Sequence, residues 1–218
     1  MHKLKFFILV LLVFVQCKTK DKVFYNEIRN FKKSDEVHPP DNNVILFAGS
    51  SSFRFWTTVQ KDMSNANILN RGFGGSTLLD LWHYKKDIIF AYQPKQIVIY
   101  CGENDVASSE KVSSSEVADR FKKLYKNIRK KFPEIPVAFI SLKPSPSRWK
   151  MRDRMIGANQ LIRQFAEQQK KLVFVNVWDS MLNSHGYPKS EIFIADSLHM
   201  NKLGYEIWAK ALNPVLVK

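Results

Sequence analysis

The chain has 218 residues, of which 45% are hydrophobic, 13% aromatic and 25% charged. These proportions suffice for one well-buried core in a single domain, and they exclude a disordered, collagen-like or low-complexity protein. Two cysteines cannot form a disulfide framework, and no C-x-x-C pair is present for zinc or redox chemistry. The formal net charge of +14 is compatible with anionic lipids or polymers as neighbours, and equally with a solvated, lysine-rich surface.

Residues 1–17 have the features of an export signal. A basic start precedes an uninterrupted apolar run from Phe6 to Val15, which is too short to span a bilayer, since that needs roughly 20 residues. Cys17 follows this run and resembles the lipid-attachment site of bacterial lipoproteins, although Gln16 occupies a position where a small residue is usual. We therefore expect an exported protein of the cell envelope or periplasm, attached to the membrane through Cys17 and without a nucleic-acid partner. Plain secretion and an uncleaved anchor are the alternatives.

The remainder of the chain predicts one α/β domain. Residues 18–43 are polar and lysine-rich and predict a tether with one helix near residues 24–31. From residue 44 to residue 218, short apolar runs alternate with segments of helical periodicity. We predict strands at 44–47, 96–100, 137–140 and 172–175, and helices at 53–63, 78–92, 116–132, 152–170 and 201–212. Strands separated by helices of this length predict β-α-β crossovers and a parallel sheet covered by helices on both faces.

Four short polar segments are candidates for the functional site, because ligands of such sheets bind beyond the carboxyl ends of the strands. Three of them are interpreted as loops that follow strands, and the fourth precedes the last helix. They are Gly49-Ser50-Ser51-Ser52, Gly72-Phe73-Gly74-Gly75-Ser76, Gly102-Glu103-Asn104-Asp105 and Asp196-Ser197-Leu198-His199.

Ser51 is the candidate nucleophile. A serine hydroxyl becomes nucleophilic when a base removes its proton, and that base is usually a histidine oriented by a carboxylate. Asp196 and His199 are close enough in sequence for their side chains to meet, which leaves one imidazole nitrogen free to act as the base. Each motif also has a simpler explanation, because residues 50–52 can cap a helix and a D-x-x-H sequence is often only a capping pattern.

Gly75 and Asn104 are candidates for binding an oxyanion, which acyl transfer requires. A glycine-rich turn offers a backbone N–H, and the side-chain amide of Asn104 offers another donor. The backbone N–H of Ser51 is the third candidate. The alternative is that residues 72–75 form only a tight turn with positive φ and that Asn104 is an ordinary turn residue.

In order and approximate spacing, the four segments resemble those of the SGNH (GDSL-like) hydrolases, from about Val44 to the C-terminus. The resemblance implies a two-step acyl transfer in which Ser51 is the nucleophile, His199 the general base and acid, and Asp196 its orienting carboxylate. It also implies an oxyanion hole formed by Ser51, Gly75 and Asn104, with no metal or cofactor. The fold it implies is a flavodoxin-like three-layer α/β/α fold with a parallel sheet of about five strands. The chain departs from the Gly-Asp-Ser-Leu of the family name, because serines occupy the positions of the Asp and the Leu.

Other enzyme motifs fit less well. The α/β-hydrolase elbow G-x-S-x-G fails because Phe53 occupies the position of its last glycine. The dinucleotide fingerprint G-x-G-x-x-G fails because Thr77 occupies the position of its third glycine. Cys101 lies at the end of a predicted buried strand, and we interpret it as a core residue rather than a nucleophile.

The expected substrate is a short acyl ester, above all an acetyl ester, of a carbohydrate or small molecule. Long-chain lipases need an apolar trough, commonly with a mobile lid. The longest loop near the site, residues 142–150, instead carries two prolines, cations and Trp149. Arg54 and Trp149 are candidate substrate-binding residues, although Trp149 can equally pack against the following helix. The alternatives are a lysophospholipase or thioesterase acting on longer chains, and an envelope binding protein without turnover.

Overall fold

The computed structural model describes residues 23–63 and 66–218. The predicted export signal and Cys17 lie outside the described residues. Within the described part, no helix is both long and apolar enough to cross a membrane.

Five parallel strands form one sheet at the centre of the molecule. In chain order they are β1 (Ile45–Gly49), β2 (Ile68–Gly72), β3 (Gln96–Tyr100), β4 (Val137–Ile140) and β5 (Leu172–Val175), and their spatial order is β2-β1-β3-β4-β5. Every residue of β1, β3 and β4 is buried. A strand covered on both faces needs apolar side chains throughout, which explains the continuous apolar runs of these three segments.

Eight α-helices surround the sheet in the described part of the chain. They are α1 (Tyr25–Val37), α2 (Ser51–Arg54), α3 (Val59–Asp62), α4 (Leu78–Ile88), α5 (Glu103–Ser108), α6 (Ser114–Lys131), α7 (Arg152–Glu167) and α8 (Lys202–Leu212). Successive strand residues point to opposite faces, and the apolar residues accordingly form two clusters. Leu46 and Ile97 pack with α4, α6 and α7 on one face, whereas Phe47 and Val98 pack with α2, α3 and α8 on the other. The predicted three-layer α/β/α fold is thus confirmed.

The structure departs from the predicted elements in three places. Strand β2 was not located from the sequence, because the polar Asn70 and Arg71 interrupt its apolar residues. The predicted helix at 53–63 is instead two short helices, since the fully buried Trp56 donates its indole N–H to Asp62 at 2.7 Å and turns the chain between them. The segment at residues 102–105, expected to be a loop, begins α5.

Helix α1 extends further than expected, to Val37, and packs against the domain. Its Ile28 is buried in the core. Asp35 accepts hydrogen bonds from the guanidinium of the buried Arg71 and, at 2.6 Å, from the hydroxyl of Tyr92. This helix is therefore held to β2 and to the loop before β3 by a largely buried polar network.

We predict that Asp35→Asn lowers the free energy of unfolding by about 1–3 kcal/mol, because it leaves the buried charge of Arg71 without its carboxylate partner. Glu36→Gln is the matched control, since Glu36 is the exposed neighbour on the same helix. Urea unfolding of the two variants measures the difference. Equal stability of the two variants would contradict this role for Asp35.

Candidate active site

Ser51 is the first residue of α2 and follows β1 after a single residue. Its backbone N–H has no acceptor within the helix, because the first turn of a helix leaves its N–H groups unpaired. Ser50, at the capping position, makes no side-chain capping bond. The Ser51 hydroxyl oxygen lies 2.9 Å from Nε2 of His199. The serine is thus paired with a base rather than used as a helix cap.

His199 is held by Asp196 within one turn. Oδ2 of Asp196 lies 2.6 Å from Nδ1 of His199, and Oδ1 accepts the backbone N–H groups of Leu198 and His199, each at 2.9 Å. Ser197, between them, has a positive φ of 55°. Because an ionised carboxylate can only accept, Nδ1 carries the proton and Nε2 is free to accept the Ser51 hydroxyl proton.

The environment keeps Asp196 ionised. Partial burial raises the pKa of this carboxyl, but hydrogen bonds from the imidazole and backbone of His199 and from the backbone of Leu198 outweigh it and lower the pKa to about 2. A lowered pKa stabilises the fold at pH values above the ordinary value for Asp, and this contribution is lost as the pH falls towards 2. The carboxylate is therefore available to His199 throughout the neutral and mildly acidic range.

Gly75 lies in the turn that connects β2 to α4. It is exposed and has φ of 78°, and a Cβ built on it would meet no atom within 4 Å. Positive φ accounts for the glycine, so the tight-turn explanation holds at this position. The lack of neighbouring atoms also leaves space beside the backbone of Gly75, and a backbone N–H that contacts substrate requires such space.

Asn104 lies in the first turn of α5 and is bonded on both sides. Its Nδ2 donates to the carbonyl of Ser76 at 2.9 Å, and its Oδ1 accepts from Nη2 of Arg148 at 2.8 Å. The amide thus connects the glycine-rich turn with the segment after β4. One Nδ2 hydrogen remains available for a substrate oxygen.

The acidic neighbours of Asn104 are buried and engaged elsewhere. Glu103 forms an ion pair with Lys143 at 2.7 Å. Asp105 accepts from the backbone N–H of Leu78 at 2.8 Å and from Arg120 at 2.7 Å. Within the described part of the chain, neither carboxylate forms a hydrogen bond or an ion pair with His199.

The two candidate substrate-binding residues have partners within the protein. The guanidinium of Arg54 lies 3.3 Å from a carboxylate oxygen of Glu27 and remains half exposed. Trp149 stacks on Trp178 with ring centroids 6.3 Å apart, and it also contacts Tyr187. These two partners lie outside the following helix, from which Arg152 lies over the Trp149 ring at 5.4 Å.

The loop at residues 142–150, which the sequence shows to carry cations, is partly buried. Lys143 is 1% exposed, because its ammonium group is paired with Glu103. Residues Pro146–Met151 form a 3₁₀ helix. Arg148 is the functional candidate that the sequence analysis missed; its position after β4, at the same edge of the sheet as the other candidates, was the available indication.

Cys101 has the surroundings of a core residue. Cys101 is fully buried, and burial raises the pKa of its thiol well above the ordinary value. A core role agrees with both facts. Over residues 23–63 and 66–218, no three His, Cys, Asp or Glu side chains come together in an arrangement that could hold a metal ion.

Comparison with known proteins is consistent with this arrangement. Residues 42–207 match the model of the GDSL-like Lipase/Acylhydrolase family. Platelet-activating factor acetylhydrolase IB subunit alpha1 from Rattus norvegicus is 25% identical over 159 residues. That match covers 71% of this chain and 66% of the relative, so the chain spans slightly less than two thirds of the relative's length.

Two solved structures show the same fold. A GDSL-like lipase from Bacteroides thetaiotaomicron has a TM-score of 0.71 at 19% identity, covering 88% of this chain and 97% of that one. A catalytic mutant of an acetylxylan esterase from Geobacillus stearothermophilus has a TM-score of 0.67 at 16% identity, covering 82% and 97%. Because the family model matches most of the chain, the protein belongs to the GDSL-like lipase/acylhydrolase family of ester hydrolases.

Proposed function

We propose that this protein is a serine esterase that removes short acyl groups, above all acetyl, from a carbohydrate or small molecule through an acyl-Ser51 intermediate. The observation that carries the proposal is the continuous chain from the Ser51 hydroxyl to Nε2 of His199 at 2.9 Å and from Nδ1 of His199 to Asp196 at 2.6 Å. These are the contacts that a nucleophile, its base and the orienting carboxylate require.

In the first step, His199 Nε2 accepts the hydroxyl proton as Ser51 Oγ attacks the carbonyl carbon of the ester. The imidazolium that forms lies against the ionised Asp196, which stabilises its charge. When the tetrahedral intermediate collapses, the bond to the alcohol oxygen breaks and His199 returns the proton to that oxygen. The products of this step are the free alcohol and acyl-Ser51.

In the second step, a water molecule replaces the alcohol. His199 takes a proton from the water as its oxygen attacks the acyl carbon, and the resulting intermediate expels Ser51 Oγ, which regains the proton from His199. The carboxylic acid leaves, and the serine and histidine return to their starting states.

The negative charge of each tetrahedral intermediate is assigned to three donors. They are the backbone N–H groups of Ser51 and Gly75 and the side-chain amide of Asn104. Fixed donors of this kind each stabilise a transition state by about 3–4 kcal/mol, because they need no reorganisation when the charge develops. The hydrogen bond of Asn104 to Ser76 holds the amide against the turn that contains Gly75.

Two observations support a short acyl group. The segment after β4 packs against the rest of the domain and is not free to act as a lid. Leu142 and Lys143 are buried, and the N–H of Ser147 donates to the carbonyl of Ser197 at 3.1 Å. The rat relative and the Geobacillus stearothermophilus neighbour are, by name, an acetylhydrolase and an acetylxylan esterase. Both names specify an acetyl ester.

We predict that Ser51→Ala and His199→Ala each abolish hydrolysis of p-nitrophenyl acetate, because each removes a group that the other cannot replace. Ser115→Ala and His185→Ala are matched controls at exposed positions outside the site and should keep wild-type turnover. A fluorophosphonate probe should label the wild type and both controls and leave Ser51→Ala unlabelled.

Near-native turnover by purified, folded Ser51→Ala would overturn the proposed mechanism. An inert wild type that the probe does not label would instead favour an envelope binding protein that keeps the fold without the chemistry.

We predict that kcat/KM across p-nitrophenyl esters from acetate to decanoate is highest at acetate and falls with chain length. Each buried methylene contributes about 0.8 kcal/mol only where an apolar surface receives it, and the packed segment at residues 142–150 does not provide a mobile apolar lid. A maximum at eight carbons or longer would favour a lysophospholipase or thioesterase.

We further propose that the protein is exported and anchored through a lipidated Cys17. The support is the sequence of residues 1–17 alone, in which a short apolar run ends just before the cysteine. Two or more acyl chains anchor a protein stably, whereas one chain binds marginally. Wild-type protein should fractionate with membranes and Cys17→Ala should be released; equal membrane association of both would contradict lipidation.

A further inference from the structure

We propose that Arg148 is a positioning residue that fixes the carboxamide of Asn104 in the one orientation that can donate to an oxyanion. The inference rests on the proposed acyl transfer and adds to it a residue that acts through Asn104 rather than on the substrate.

The two partners of the Asn104 amide leave no ambiguity about its orientation. A guanidinium group is only a donor, so the atom 2.8 Å from Nη2 of Arg148 must be the amide oxygen. A backbone carbonyl is only an acceptor, so the atom 2.9 Å from the Ser76 oxygen must be the amide nitrogen. The remaining hydrogen on that nitrogen has its direction fixed by these two bonds.

Arg148 is itself held by a buried carboxylate. Its Nη1 lies 3.9 Å from Oε1 of Glu103, an oxygen that is buried and has no hydrogen-bond partner in the described part of the chain. The other oxygen, Oε2, is paired with Lys143 at 2.7 Å and accepts the hydroxyl of Tyr100. Burial raises the pKa of Glu103, but the charges of Lys143 and Arg148 outweigh it, and the pKa is lowered overall.

The backbone also restrains Arg148. The residue lies inside the 3₁₀ segment, where its φ of −113° and ψ of 15° depart from helical values. Its own N–H donates to the carbonyl of Ser145 at 3.2 Å, and the N–H of the preceding Ser147 donates to the carbonyl of Ser197, in the turn that carries Asp196 and His199. The segment therefore contacts both the turn of the proposed base and the proposed oxyanion donor.

Loss of the guanidinium should affect the transition state and leave substrate binding unchanged. Without a donor at Oδ1, the amide can rotate, and a rotated amide presents an oxygen instead of an N–H to the developing negative charge. The positive charge of Arg148 also polarises the amide and strengthens its remaining N–H as a donor. Both effects grow as charge develops, so kcat should fall while KM is retained.

A double-mutant cycle on p-nitrophenyl acetate tests the proposal. We expect Asn104→Ala to lower kcat on the order of 10²–10³-fold and Arg148→Met to lower it on the order of 10–100-fold, the range for a hydrogen bond to a charged group. In both variants KM should stay within about threefold of the wild-type value. In the Asn104→Ala background, Arg148→Met should change kcat by less than about threefold, because the residue through which it acts is absent.

Two further variants separate positioning from folding. Arg148→Lys keeps a positive charge beside Glu103 and should preserve the thermal unfolding midpoint, yet it should still lower kcat, because an ammonium lacks the planar fork of donors. Arg163→Met is the control, since Arg163 is exposed on α7 and lies over Phe174. Millimolar guanidinium ion should partly restore kcat to Arg148→Ala and leave the wild type unchanged.

The positioning role would be overturned if the losses of kcat in Arg148→Met and Asn104→Ala multiply in the double variant. It would also be overturned if Arg148→Met changes KM alone. Either result would leave the acyl-serine mechanism intact. Wild-type kcat in Arg148→Lys would overturn the assignment to the guanidinium as well, because a single ammonium donor would then be sufficient. Failure of the mechanism itself is visible separately, as activity retained by Ser51→Ala.

Discussion

The geometry of the candidate site depends on the close approach between the C-terminal ends of β1 and β3. A Cβ built on Gly49 would lie 2.2 Å from the carbonyl oxygen of Tyr100, so no side chain can be accommodated there. The next residue, Ser50, donates its N–H to that same carbonyl at 3.0 Å. The chain can therefore turn into α2 at the sheet edge, and Ser51 is placed at the start of the helix and within reach of His199. A larger residue at position 49 would also have to displace the buried ring of Phe53, which a Cβ there would meet at 2.9 Å.

Buried charge pairs fix the other half of the site. The first turn of α5 has Asn104 between two carboxylates, and each is compensated by its own cations: Glu103 by Lys143, and Asp105 by Arg120. Such pairs add little net stability, because removing charges from water costs about as much as their attraction returns. They do restrict geometry, since a shift of α5 would leave a buried carboxylate unpaired. We interpret the two ion pairs as restraints that hold the Asn104 amide in position beside the glycine-rich turn.

The sequence predicts best those strands that are short, nearly continuous apolar runs. The strands at 96–100, 137–140 and 172–175 match the predicted bounds, because short apolar runs between helical segments indicate buried parallel strands. Edge strand β2 was not located, since Asn70 and Arg71 are polar and their partners, the carbonyl of Phe53 and the carboxylate of Asp35, are distant in sequence.

The same distinction applies to the site. Ser51, Asn104 and the turn of Asp196 and His199 could be proposed from sequence, because strand ends of a parallel sheet converge at one edge. The pairing of Arg148 with Asn104 could not, since it depends on how the segment after β4 folds back. The burial of Lys143 has the same origin: a lysine is buried only when a carboxylate meets it, and the partner Glu103 is separated from it by a strand and a helix.

The strong positive charge of the chain is not concentrated at the site. The cations beside the candidate residues have carboxylate partners: Arg54 has Glu27, and Arg148 and Lys143 share Glu103. Exposed lysines lie instead along α6 and at its C-terminal end, including Lys126, Lys130 and Lys131, where positive charge complements the helix dipole. An anionic group entering the site would compete with carboxylates already in place, whereas a neutral ester would not. The exposed lysines of α6 and the proposed preference for short acyl groups therefore concern different parts of the molecule.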